Sequence, residues 1–296
     1  MFFRVPIRFS MNPYLKNQDF EQTRTLIVRL FYGFAILIWI FKYTNGVWLH
    51  QVAHPTLAYI TPEEVQWLWY STGIPSWILA TDLRALTVDL LLLASMLLAF
   101  CYPRQRWWPP LFSGLLCTYC LTGYLYYFAR GHNLSGFLLM SFLPWFQSHR
   151  RFAAYFQFMR YFLLYILCSA ALWKLYNGVV WDYDNQLPFI LKMQHAEYVV
   201  HHPDAWRSHW VRWLLDQPAL NLILLKGAWV LQLSCLVGFF TKKFDYFLLT
   251  AVVLFFIGDW LVMNLPFYEM YILVITLLPW QAVRLAAKPP SLISVV

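Results

Sequence analysis

The chain reads as an all-α, polytopic membrane bundle: about eight transmembrane or embedded helices with two structured external loops. Three observations predict this. Only 12% of its 296 residues are charged, 60% are hydrophobic and the mean hydropathy is +0.51; a soluble domain carries about 25% charged residues. The apolar residues fall into eight runs, most near the roughly 20 residues that cross a hydrocarbon core. Basic residues gather in alternate short connections, as the positive-inside rule requires of an even number of spans. Aromatics reach 20%, with 16 Trp, an abundance suited to interfacial belts.

In order, the runs cover roughly 24–42, 84–102, 110–129, 134–147, 158–176, 219–240, 245–264 and 267–286, and residues 1–296 form a single membrane domain. Met1 to Asn17 is polar and aromatic and lacks a short apolar region ending at a cleavage site, so the first run is expected to stay as an uncleaved anchor. The second carries Asp89 inside it, and the fourth is short and interrupted by Pro144, which suits a broken or partly embedded helix. Arg4, Arg8, Lys16 and Arg24 precede run one; Arg104 and Arg106, Arg150 and Arg151, and Lys242 and Lys243 occupy alternate connections; Arg284 and Lys288 follow run eight. Both termini are therefore expected in the cytoplasm of a cell or inner membrane. The connections 43–83 and 177–218 fall outside, the second with an amphipathic helix near 203–216. The net charge of +8 is topology signal rather than a nucleic-acid footprint. The partner it implies is the bilayer.

The ionisable groups inside the runs carry the functional reading. At about 1.5 Å per residue, Lys174, Asp89, Asp259, Glu269 and His132 all fall in the outer half of the membrane, which predicts one outward-facing polar pocket. For Glu269, a helix-end residue in the headgroup region accounts for the position equally well. Lys174 lies two residues before the end of the run 158–176. As a desolvated amine it can act as a base; as a snorkelling lysine it only reaches the headgroups. Cys117 and Cys120 lie inside run three, where apolar surroundings make thiols inert packing residues. His50, His54, His195, His201, His202 and His209 lie in the long connections and read as solvated. No acid or thiol pattern completes a metal site, so no metal is predicted.

The stretch Arg160 to Trp181, which contains Ala171-Leu-Trp-Lys-Leu-Tyr-Asn-Gly-Val-Val-Trp181, resembles the signature of the horizontally transmembrane (HTTM) domain of vitamin K-dependent gamma-carboxylases. Gly131-His-Asn-Leu-Ser-Gly136 resembles the family's Asn/His motif, and Thr25-Leu-Ile-Val-Arg-Leu-Phe-Tyr-Gly-Phe34 its first helix. In order, the resemblance covers roughly 20–285. It implies that Lys174 is a base toward a reduced menaquinone or vitamin K-like quinone. His132, or Asn133 beside it, would stabilise the developing anion, and Asp89 or Asp259 would tune the lysine. Trp181 would be the signature tryptophan, here seven residues after Lys174. Asp259 is the nearest polar group where the family carries a further histidine. The family's large luminal domain, which grips a peptide substrate, has no counterpart in residues 1–296. The resemblance therefore carries quinol chemistry further than it carries a protein substrate.

Two readings follow. One is a lipid-hydroquinone-dependent enzyme with oxygenation or carboxylation chemistry. The other is a non-catalytic membrane scaffold that lends its helices to a membrane protein partner. A transporter would be expected to show an inverted repeat, and none is visible.

Overall fold

A computed structural model describes residues 17–51, 64–126, 132–181, 183–263, 268–278 and 280. Every regular element among them is helical. In chain order these are α1 (Asn17–Thr44), α2 (Glu64–Ser71), α3 (Ile74–Ile78), α4 (Asp82–Cys101), α5 (Trp108–Tyr126), α6 (His132–Ser141), α7 (His149–Tyr176), α8 (Tyr183–His201), α9 (Trp206–Leu215), α10 (Pro218–Ser234), α11 (Val237–Phe240) and α12 (Asp245–Met263). Two 3₁₀ helices, Leu143–Trp145 and Tyr268–Leu277, accompany them. Among the described residues, five stretches are long and apolar enough to cross a membrane: Phe20–Thr44, Asp82–Cys101, His149–Tyr176, Pro218–Phe240 and Asp245–Met263. By that measure this is a multi-pass integral membrane protein.

Each of the eight apolar runs has a helical counterpart, and local chemistry explains the boundaries. The hydroxyl of Thr81, an extended-backbone cap, accepts from the amide of Arg84 and starts α4. Pro218 opens α10, where its missing N–H costs no hydrogen bond. In the fourth run α6 gives way at Ser141 to the short turn holding Pro144, because proline removes a helical donor and clashes with the preceding turn. The eighth run differs from an α-helix: its described part, Tyr268–Leu277, is 3₁₀. The second long connection also holds more structure than expected. The helix sought near 203–216 is present as α9, and a further helix, α8, precedes it. Its low amphipathicity, with Pro188 inside, hid it from a periodicity reading.

The chain forms two compact units, Met1–Gln157 with Pro279–Val296, and Phe158–Leu278. In the first, α4 packs on both α1 and α5. Aromatics fill the seams: Phe31, Tyr32 and Phe112 make edge contacts, the geometry aromatic quadrupoles favour. Beyond the end of α1 the chain folds back. Trp48 stacks on Trp39 at 5.2 Å and donates its indole N–H to the Trp39 carbonyl, while the Tyr119 hydroxyl donates to the Val47 carbonyl. These bonds fix where Leu49 and His50 lie.

In the second unit α10 packs on α8, α9 and α12. Leu187, Leu191, Leu214 and Leu225 form its buried apolar cluster. Gly238 sits where a Cβ would lie 2.7 Å from Leu248 Cδ1 and 2.8 Å from Leu164 Cδ1, so the close approach there depends on the absence of a side chain.

Candidate functional site

Lys174 occupies the last turn of α7, within the second unit. Its Nζ donates to Gln232 Oε1 of α10 at 2.8 Å and stands 5.9 Å from the centre of the Phe255 ring of α12. Asp259, one turn further along α12, acts on it electrostatically. No hydrogen bond or ion pair within 4 Å joins the two among the described residues. The neighbouring turn is held by α10: Trp229 Nε1 donates to the Ala171 carbonyl at 3.1 Å. The group is thus an amine with one neutral acceptor, a nearby carboxylate without a direct partner and an aromatic face. Gln232 is 4% exposed and was not singled out from sequence. A buried amide in the apolar run Trp229-Val-Leu-Gln-Leu233 was the available signal, because such a group needs a polar partner.

Asp89 belongs to the first unit, where it is fully buried. The amides of Leu49 and His50 donate to it at 3.2 and 3.1 Å, and the His50 ring nitrogen Nδ1 lies 2.8 Å from it. His50 is therefore the partner of a buried carboxylate rather than a solvated loop histidine. A single sequence does not reveal a pairing across 39 residues.

His195 also departs from the solvated reading. It is 1% exposed, with Nε2 2.9 Å from the Val262 carbonyl. That geometry assigns the ring proton to Nε2 and leaves Nδ1 buried without a partner. Burial, reinforced by the Arg207 charge, lowers its pKa below the usual histidine value, although the carbonyl opposes this. His201, His202 and His209 are exposed, and His54 lies outside the described residues.

The remaining expected residues are distributed as follows. His132 and Asn133 open α6, but their side chains lie outside the described residues. Trp181 is 68% exposed just beyond α7, in the turn closed by its amide on the Gly178 carbonyl. Glu269, equally readable as a headgroup-facing residue, is 3% exposed. All five cysteines are free thiols. Among the described residues no three His, Cys, Asp or Glu side chains gather as metal ligands. The structure brings Lys174 together with Asp259, whereas Asp89 has partners of its own.

No family model, curated protein or solved structure matches the chain.

Proposed function

We propose that the Lys174 group of the second unit is a proton-handling site for a lipid-soluble hydroquinone. The observation that carries this reading is the direct bond from Lys174 to a neutral acceptor, Gln232, with Asp259 close but unbonded. A lysine locked in a tight ion pair is held as an ammonium, whereas an amine on an amide oxygen can lose its proton and then accept one. In its neutral form Lys174 takes a proton from a phenolic hydroxyl. Gln232 orients the amine, Asp259 stabilises the ammonium that results, and Phe255 offers a ring face beside it. A reduced quinone would supply the electrons for oxygen chemistry. The resemblance of Arg160 to Trp181 to the gamma-carboxylase membrane domain supports the same assignment.

The test is formation of quinone or epoxide from menaquinol and O2 by the purified protein. Lys174→Ala is expected to abolish turnover with the fold intact. Lys174→Arg is expected to fail too, because guanidinium keeps its proton at ordinary pH. Unchanged turnover in Lys174→Ala would remove the lysine from the mechanism.

One observation favours the scaffold reading. An ammonium that donates to Gln232 and faces an aromatic ring is also a satisfied structural contact between two helices. That reading predicts no turnover by the parent protein and loss of partner assembly in Lys174→Ala.

The orientation we propose, with both termini cytoplasmic, rests on the alternation of basic connections. In a cysteine-free background, a cysteine at His209 should react with an impermeant reagent from outside and one at Lys243 only from inside. Both positions are exposed. The reverse pattern would overturn the orientation.

A further inference from the structure

A cavity of about 600 Å³ lies in the first unit, between Thr25 and Arg29 of α1 and the segment 101–105 that ends α4. Its charge is one-sided. Arg29 and Arg104 both line it, both are exposed, and no acidic residue lines it. Neither guanidinium has a hydrogen-bond or ion-pair partner among the described residues. Arg24, nearby on α1, is already committed: it is 1% exposed and donates to the Phe146 and Pro144 carbonyls at 3.1 and 3.0 Å. Glu21 acts electrostatically on Arg24, and Arg104 adds like charge to the same region. Two uncommitted guanidiniums around one space suit a tetrahedral oxyanion, since guanidinium pairs with phosphate through paired N–H donors.

The surroundings distinguish a lipid from a free anion. Arg29 lies within the apolar span Phe20–Thr44, yet it shares the cavity wall with the connection 102–105 that follows α4, so it stands level with the end of a span, where lipid phosphates lie. The two helices that wall the cavity, α1 and α4, also expose Leu30, Leu97 and Phe100 at 42%, 45% and 38%, so their outer surface is apolar. Phe100 closes the seam one turn beyond Arg29, where its ring would lie 3.4 Å from a Cβ at Gly33.

We propose that this cavity binds the phosphate of an anionic membrane phospholipid. Arg29 and Arg104 clasp the phosphate, and the acyl chains run along Leu30, Leu97 and Phe100. The full chain, purified in detergent and stripped of lipid, is titrated with phosphatidylglycerol and with phosphatidylcholine while bound lipid is counted by native mass spectrometry. Phosphatidylglycerol is expected to bind the more tightly. Arg29→Gln and Arg104→Gln should each weaken it roughly tenfold, the effect of losing a hydrogen bond to a charged group. Lys243→Gln, which removes the same charge from the other unit, should leave it unchanged. Excess inorganic phosphate should not displace the lipid. Parent-like binding in both arginine variants would overturn the proposal, as would equal loss in Lys243→Gln. Full displacement by inorganic phosphate would overturn the lipid assignment in favour of a free-anion site. If Arg29→Gln fails to elute as a monodisperse protein, Arg104→Gln alone decides.

Discussion

The two units handle buried charge differently. In the first, Asp89 is closed off: two backbone amides and the His50 ring answer its oxygens, and Arg24 is answered by two carbonyls. In the second, Arg160 is equally well provided for, by Asp245 and by the carbonyls of Gly238 and Thr241. Lys174 and Asp259, both half-buried, are not. They are opposite charges held near each other without contact, the lysine bonded instead to an amide. A chain able to satisfy three buried charges fully has left one pair loose. Loose pairs are where protons can move, and saturated ones are where folds are pinned.

That contrast can be broken most forcefully at Asp89. Asp89→Ala strips the acceptor from two amides and an imidazole, and should cost about 3–5 kcal/mol, the penalty for breaking a buried pair, read from thermal unfolding in detergent. A loss as small as that of an exposed residue would remove the pinning role. Next comes Arg160→Leu, which leaves Asp245 and two carbonyls unanswered and should cost about 2–3 kcal/mol, again by thermal unfolding.

The loose pair should behave otherwise. Gln232→Leu removes one acceptor from Lys174 and should cost only about 1 kcal/mol, while slowing or abolishing quinol turnover if the proposed chemistry holds. Lys174→Ala should shift stability by less still, because the desolvation cost of the amine leaves with it. A large loss of stability in Lys174→Ala would make this pair a structural lock as well.

The smallest effect concerns pH. His195 has a folded pKa below its unfolded value of about 6.5. The unfolded chain therefore binds the extra proton more readily. The stability linked to neutral His195 is fully present above about pH 6.5 and is lost as pH falls through that value toward the folded pKa. Unfolding followed between pH 8 and pH 5 should show a decline that His195→Gln reduces. An identical profile in the variant would exclude the histidine as its source.

Much of the fold was legible because membrane helices announce themselves by length and hydropathy. The run carrying Lys174, the interruption at Pro144 and the amphipathic helix at 206–215 all followed from local pattern. The site was half legible. Lys174 and Asp259 stood out as charges in apolar runs, since a charge there is costly wherever the chain goes. Gln232 did not, because a neutral amide costs less and reveals its role only when a second helix meets it. The His50–Asp89 contact was hidden for a further reason. It depends on a chain reversal after α1 that is set by stacked tryptophans and one indole hydrogen bond, and no local periodicity encodes that. α8 escaped because its face alternates too little to register as amphipathic.

The stacked Trp39–Trp48 pair also gives the first unit an optical signature. Two indoles 5.2 Å apart and inclined at 29°, 1% and 6% exposed, are close enough for their excited states to couple. The pair should give a near-ultraviolet circular dichroism band absent from Trp39→Phe. Trp48 is the immediate neighbour of Leu49, whose amide holds Asp89, so that band should fade in Asp89→Ala before the far-ultraviolet helical signal changes. The first unit thus carries a built-in gauge of its own closure, readable without any label.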